Sequence, residues 1–421
     1  MKKMTFGKAI ERTREKIESG EFLNLARKRI RDFTRNRKMP FDKLIYFMLN
    51  MIKASTQTCL DRFFEMIGQE DTHMTQQSFS EARQKLNWEA FQYLFKMIVR
   101  EIYSCEYETW NNYRVSAIDG SKIQLPDDDK IREHFGTIGK GSTAATAQSS
   151  SLYDVYNNVL IDVQIKPMSV GERNIALMHI EELYNLESFK KECIIFDRGY
   201  ASFNLIEDLK GKGIDFVMRV RSKFNIYIDD LPEGDHFAVL QKKGHDDINV
   251  RVLKFPLPSG EIETLISSIM DKSMDIQEFK GLYFKRWPIE TKFNEIKNKL
   301  EVENFSGRTV DAIMQDFFIT MYLSNMAAIA CWDAQADVDE ARKYKDNKYE
   351  YHVNVNHAVG TLKDRFIMAL LEPRKRIRNK KINQIMQLLK EHVVPYRPDR
   401  SKPRNKWPRK AKFFHNKKSN C

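Results

Sequence analysis

Five cysteines are scattered through 421 residues, at Cys59, Cys105, Cys193, Cys331 and Cys421, and no two form a Cys-x-x-Cys pair. That spacing gives neither a disulfide framework nor a cysteine zinc site. A bilayer-spanning hydrophobic run is also lacking. The most apolar stretch, FFITMYLSNMAAIACW from Phe317, is too short and is interrupted by Asn325, which predicts a buried core helix. The N-terminal MKKMTFGKAIERTREKI has cations but no apolar segment of the kind a secretory signal needs. These absences predict a reduced, cytoplasmic protein with no membrane partner.

A chain of 421 residues can bury a sizeable core and is expected to hold two or more domains. Its formal charge of +12 is unevenly spread: from Arg374 to Cys421 there are 17 Lys/Arg against 2 acids, which leaves the rest of the chain at −3. The segment RPDRSKPRNKWPRKAKFFHNKK, from Arg397, interleaves prolines, Trp407, Phe413 and Phe414 with cations. It is too polar to fold by itself and suits a polyanion, because each cation placed on a phosphate releases counterions. A solubilising tail would have much the same composition.

Within GLYFKRWPIETKFNEIKNKL, Tyr283, Arg286, Glu290 and Lys297 recur in phase. At about 100° per residue they fall within an arc of roughly 60°, an acid between two cations on one helical face. Leu282, Ile289, Phe293, Ile296 and Leu300 form an adjacent apolar stripe. Pro288 removes one helical hydrogen bond and is expected to kink or restart the helix, while the phase from Glu290 to Lys297 survives. A carboxylate and cations at the edge of a core suit metal and phosphate chemistry. A solvated charged face would carry a similar row, but two further acids weigh against it.

The first is in YRVSAIDGSKIQLPD, where Tyr113 to Ile118 read as a strand ending at Asp119, with Gly120 next. The second is in KECIIFDRGYASFNLIEDL, where the apolar run Cys193 to Phe196 ends at Asp197, followed by Arg198 and Gly199. Each acid is predicted where a buried strand leaves the core, a position that holds a carboxylate rigidly and where α/β sheets bind ligands. Taken singly, a strand-terminal Asp is as well explained by a turn or a helix cap.

With these motifs the chain resembles the DDE transposases of bacterial insertion sequences that carry a Tyr-x2-Arg-x3-Glu-x6-Lys signature, every position of which is matched. The resemblance runs from roughly residue 75 to the tail, with Asp119 in IDGSK and Asp197 in FDRGY similar to the family's first two acids. It implies an α/β, ribonuclease-H-like catalytic core of the retroviral-integrase type with a β-rich insertion, flanked by helical N- and C-terminal regions. It also implies DNA transposition with two Mg²⁺ ions, Mn²⁺ being the alternative, held by Asp119, Asp197 and Glu290, with Asp119 bridging. The partners implied are double-stranded DNA, both element ends and target, and a second copy of the chain when two ends are paired. A bacterial, nucleoid-associated location follows from the same resemblance, and the Arg-Pro-rich tail is similar to the family's C-terminal ends.

The organisation expected is a helical DNA-binding region at 1–105, the catalytic core at 106–220 and 275–335, a β insertion at 221–274, a helical region at 336–395 and the basic tail at 396–421. In the first region Thr75 is a plausible N-cap for TQQSFSEARQKL. Phe79, Ala82 and Leu86 would face inward and Gln76, Gln77, Ser80 and Arg83 outward, as in a helix-turn-helix reader of base edges or an ordinary amphipathic surface helix. ATAQSSSLYDVYNNVLIDVQIKP reads as two antiparallel strands turning at Asn157-Asn158, GERNIALMHIEELYNL as an amphipathic helix, and GIDFVMRVR as a strand ending at Arg219 and Arg221. NIYIDD, HFAVLQKK, DINVRVLKFPL and ETLISSI are expected to be short strands.

Phosphodiester cleavage needs an activated water or 3′-hydroxyl, charge neutralisation at phosphorus and stabilisation of the leaving oxygen, which paired divalent ions about 4 Å apart supply. Lys297 and Arg286 can neutralise flanking phosphates, Tyr283 can hydrogen-bond a phosphate oxygen, and Arg219 is a further cation candidate. Some relatives stack a tryptophan near the β insertion on a flipped base, whereas here no tryptophan lies in 221–274. Phe224, Tyr227 or Phe237 offers a ring instead. A metal nuclease without strand transfer and a non-catalytic DNA-binding protein are the alternative readings. Intact Asp119, Asp197 and Glu290 weigh against the second.

Overall fold

The computed structural model describes residues 3–35, 37–50, 55–139, 144–186, 191–346 and 348–397. The basic tail predicted at 396–421 therefore lies outside the described residues beyond Arg397. Six helices open the chain: α1 (Phe6–Ile17), α2 (Gly20–Ala26), α3 (Phe41–Leu49), α4 (Thr56–Met66), α5 (Gln76–Arg83) and α6 (Glu89–Tyr103). Side-chain caps start three of them. Thr5 accepts the Lys8 N–H, Ser19 that of Phe22 and, as the sequence predicts, Thr75 that of Ser78.

Next come β1 (Arg114–Gln124), α7 (Asp129–Phe135), β2 (Thr146–Asp154), β3 (Val159–Pro167), α8 (Glu172–Tyr184), β4 (Glu192–Phe196), α9 (Phe203–Gly211) and β5 (Asp215–Arg219). After them come the four-residue helix α10 (Ile226–Asp229), β6 (Gly234–Leu240), β7 (Ile248–Pro256), β8 (Ile262–Ser267), α11 (Ile276–Phe284), α12 (Pro288–Asn298) and α13 (Val310–Arg342). The described chain closes with β9 (Tyr351–Val353), α14 (Val355–Leu371), α15 (Lys375–Glu391) and β10 (Val393–Pro395).

The fold is mixed α/β. Strands β1 to β8 form a single sheet in the order β3-β2-β1-β4-β5-β8-β7-β6. β4 is parallel to β1 and to β5, whereas β2 with β3, and β5, β8, β7 and β6 in turn, pair antiparallel. Every residue of β4 is buried, the pattern of a central parallel strand covered on both faces. The β2–β3 hairpin turns at Asn157-Asn158 as expected, with Asn158 at φ 55°.

Two expectations change. β1 does not end at Asp119 but runs on to Gln124, so Asp119 lies mid-strand, two residues past the last β4 pairing at Ala117. NIYIDD is not a strand: the Asn225 side chain accepts the N–H groups of Tyr227 and Ile228 and starts α10. The remaining strands of 221–274 belong to the main sheet and carry it outward from β5.

The chain divides into two compact units. One comprises Met1–Glu106, Gln124–Thr146 and Glu295–Cys421, the other Tyr107–Ile123 and Ala147–Asn294. The first is built around α13, whose 33 residues are buried almost continuously from Ala312 to Ala330. The predicted core helix from Phe317 lies inside it. α13 stacks Phe318 on Trp88, the residue before α6, and accepts the Phe6 N–H on Asp333 at 2.9 Å. No helix among the described residues is long and apolar enough to cross a membrane. The sheet, with α8 to α11 and α12 as far as Asn294, makes up most of the second unit.

Arg83, expected to face outward, is buried in the first unit. Its guanidinium bonds Gln315 Oε1 at 2.6 Å, the Ala312 carbonyl at 2.8 Å and Asp316 Oδ1 at 2.8 Å. Three carboxylate, amide and carbonyl acceptors make burial of this charge tolerable, where solvent would otherwise hold it. Gln76, Gln77 and Ser80 are exposed and Phe79 and Leu86 buried, as predicted, with Ala82 half-buried.

Candidate active site

β1 and β4 are adjacent and parallel, in register Val115 with Cys193 and Ala117 with Ile195. Asp119 and Asp197 each lie two residues beyond that last pair. In a parallel ladder paired residues point to the same face, and side chains repeat every second residue. Both acids therefore lie just past the end of the β1–β4 ladder on neighbouring chain segments, where paired strands are about 4.8 Å apart. Each carboxylate accepts the N–H of the residue after it: Asp119 Oδ1 from Gly120 at 2.9 Å, Asp197 Oδ1 from Arg198 at 2.7 Å. A side chain at Gly120 would press on Gln148 Nε2 at 3.1 Å and on Glu172 at 3.5 Å, so the backbone beside Asp119 is closely packed.

Glu290 comes from α12. The capping box of Asp275 and Glu278 starts α11, which ends at Phe284, and after one turn Pro288 opens α12. The restart expected at Pro288 is therefore present, and Leu282, Ile289, Phe293, Ile296 and Leu300 are all buried. Tyr283 and Arg286 are buried on the same approach, and Arg286 Nη2 is 3.4 Å from Glu290 Oε1.

The electrostatics tie these groups together. Burial, opposed by the Gly120 N–H and Arg286 and reinforced by Glu290 and Asp197, pushes the Asp119 carboxyl up to about 6. Tyr283 is pushed up to about 12 by burial and by Asp197. Burial pulls the Arg286 guanidinium down, but Tyr283, Asp197, Asp119 and Glu290 together overcome it and the net shift is upward. Arg286 is thus the shared counter-charge of the three acids.

Two predicted cations stand differently. Arg219, at the end of β5, is paired with Glu263 at 3.3 Å. Lys297 follows Glu290 by seven residues on α12 and falls in the other compact unit, where its Nζ lies 4.0 Å from Glu303 Oε1.

Sequence reasoning missed Tyr200, three residues after Asp197. Its hydroxyl is buried with no hydrogen-bond partner, and burial together with Asp119, Glu172 and Asp197 drives it well above the usual phenol range. Its place in FDRGY was the available signal. Of the exposed rings, Tyr227 is 72% accessible, Phe237 48% and Trp287 44%, while Phe224 is half-buried.

Among the described residues no three His, Cys, Asp or Glu side chains converge closely enough to enclose a metal ion. The donor chemistry nevertheless fits a hard divalent cation: only carboxylate oxygens, with Glu290 and Asp197 each opposing ionisation of the buried Asp119. Like charges close up around a cation rather than ahead of it.

In the helical unit, a cleft of about 1120 Å³ runs beside the start of α5, and Arg31, Arg35, Arg37, Lys38 and Lys85 line it against Asp32 and Glu81.

No curated protein matches this sequence. Among solved structures, the piggyBac transposase synaptic complex with hairpin DNA is similar at 11% identity and a TM-score of 0.46, over 89% of this chain and 85% of that one. The profile of the transposase DDE domain matches residues 110–326, just over half of the chain and spanning Asp119, Asp197 and Glu290. The chain belongs to the transposase DDE-domain family, whose members generally work with divalent metal ions.

Proposed function

We propose that the protein is a DNA transposase of insertion-sequence type, cutting the ends of its own element and joining the freed 3′-hydroxyls to target DNA. The observation that carries this reading is the register of Asp119 and Asp197, side by side past Ala117 and Ile195, with Arg286 as common counter-charge. The strand order β3-β2-β1-β4-β5, with β4 parallel to both its neighbours, supports a ribonuclease-H-like core.

Asp119, Asp197 and Glu290 would hold two Mg²⁺ or Mn²⁺ ions, which when bound activate the attacking oxygen and neutralise charge at phosphorus. In the first step water attacks the scissile phosphorus and the P–O3′ bond breaks, freeing a 3′-hydroxyl. In the second that hydroxyl attacks a target phosphorus and displaces its 3′ oxygen. Arg286 and Lys297 are the cations for flanking phosphates. Tyr283, held protonated by its surroundings, donates a hydrogen bond to a phosphate oxygen. Arg219 can join them by leaving Glu263 for a phosphate.

The cationic cleft and the exposed Gln76, Gln77 and Ser80 of α5 support binding of the terminal repeats by the helical unit, phosphates by the first and base edges by the second. Pairing two ends calls for a homodimer on DNA. The test is Mg²⁺-dependent cleavage and strand transfer on labelled DNA carrying the gene's own flanks, with Asp197→Ala as control. Joined product absent in the variant supports the proposal. Cutting without joining favours a nuclease, and binding without cutting a regulatory protein.

A further inference from the structure

Beside Asp119 runs a row of buried polar residues that the proposed chemistry does not use. Ser150 of β2 is paired with Gln164 of β3, and Leu152 with Asp162, so Gln148, Ser150, Asp162 and Gln164 share one face of the hairpin. On α8, Glu172 and His179 are seven residues apart and so on one side of the helix. Both meet the polar row. Gln148 Nε2 donates to Glu172 Oε1 at 3.2 Å. His179, fully buried, lies with Nδ1 2.7 Å from Asp162 Oδ2 and Nε2 3.0 Å from Ser150 Oγ. Ser150 Oγ donates to the backbone carbonyl of Asp119 at 3.1 Å, and Gln164 Nε2 donates to Asp162 Oδ2 at 2.8 Å.

Counting protons fixes the direction of this chain. A carbonyl only accepts, so the single Ser150 hydroxyl proton goes to Asp119, and Ser150 Oγ must accept the Nε2 proton of His179. At the other end a proton must also lie between His179 Nδ1 and Asp162 Oδ2, since two lone pairs would otherwise face each other at 2.7 Å. The pair is therefore neutral overall, with both ring nitrogens engaged, and every member of the chain is satisfied. Burying such a row costs more than an aliphatic one would, so its return lies in fixing one arrangement.

The place it fixes is informative. The β1–β4 ladder stops at Ala117, and the Asp119 carbonyl takes its hydrogen bond from Ser150 on the other side. We propose that the Asp162–His179–Ser150 chain is a positioning device for Asp119. His179 acts through the Ser150 hydroxyl to hold the backbone from which the carboxylate projects, and so sets how tightly the acids take a divalent cation. The proposal rests on the reading of Asp119 as a metal ligand. Ligand carboxylates need placement within about half an ångström, and residues that orient them typically influence metal affinity 10- to 100-fold.

The experiment measures Mn²⁺ binding to the full chain by calorimetry, with the Mg²⁺ dependence of DNA cleavage and the metal-free melting temperature alongside. It compares wild type, Ser150→Ala, Ser150→Thr and His179→Gln. Ser150→Ala is expected to weaken Mn²⁺ binding and raise the half-saturating Mg²⁺ about 10- to 100-fold. Ser150→Thr, which keeps the hydroxyl, and His179→Gln, which keeps a distal N–H donor, are expected to recover most of the affinity. A structural role alone would lower the melting temperature and leave both metal readouts in place. Folded Ser150→Ala with wild-type Mn²⁺ affinity overturns the proposal while sparing the transposase reading. Wild type that takes no Mn²⁺ overturns the metal reading and the proposal with it. If Ser150→Ala does not fold, Ser150→Cys, with similar volume and a weaker donor, carries the same comparison.

Discussion

Arg286 directs Nη2 toward Glu290 Oε1 at 3.4 Å and keeps its Nε buried without a hydrogen-bond partner. A buried donor left open beside three acids is placed to receive an oxygen that arrives with DNA. Arg286→Ala is expected to reduce the cleavage rate by about 10²- to 10³-fold at saturating Mg²⁺. Arg286→Lys should fall between, since a point charge replaces a planar fork. Single-turnover cleavage measures both, and an Arg286→Ala rate equal to wild type would remove Arg286 from the site.

Asp119 gives a pH dependence. Its folded-state value, about 6, lies above the ordinary 3.8, so the proton is held more tightly by the folded chain. Its contribution to stability is full below about 3.8 and is lost as pH rises through about 6. Metal-free Asp119→Asn should therefore be more stable than wild type at pH 7.5, by about 1–2 kcal/mol after allowing for solvent screening, with the gap closing by pH 4. Urea melts across that range measure it. A gap that widens on acidification would reverse the assignment.

Glu290 and Lys297 should separate chemistry from grip. Glu290→Ala is expected to abolish cutting and preserve end binding, whereas Lys297→Ala mainly loosens the hold on the cut end. Gel-shift and cleavage assays on the same duplex distinguish them. Loss of end binding in Glu290→Ala would contradict the division.

Arg83 belongs to the core, so Arg83→Ala should destabilise by about 3–5 kcal/mol through the charge stranded on Asp316. It should not alter the preferred DNA sequence, while Gln77→Ala, on the exposed side of α5, should weaken DNA binding with little change in melting temperature. A sequence preference altered by Arg83→Ala in folded protein would restore it as a base reader.

What could be read in advance follows from how local each signal is. Asp197 was legible because CIIF can only be a covered strand, and Pro288 because proline opens helices. Asp119 was found by its Gly120, but its mid-strand place was not, since the pairings that carry β1 on to Gln124 are tertiary. Arg83 was misread because Gln315 and Asp316 lie over 230 residues away in sequence. NIYIDD alternates like a strand, yet one Asn225 cap outweighs four residues of alternation. The Ser150–His179–Asp162 chain left no trace at all, because its members are 12 to 29 residues apart on three different elements.

The long buried helix α13 bears on how this protein can be dissected. The region that matches the family profile stops at residue 326, midway along Val310–Arg342. A fragment of residues 110–326 would keep Phe317 and Phe318 but lose Trp88, which stacks on Phe318, and the second half of α13. An expression boundary drawn from sequence similarity would thus split a helix and bare its apolar sides, and insoluble protein would be the outcome. Truncation series should keep α13 whole together with α1 and α6, so that a loss of activity reports on catalysis and not on a severed core.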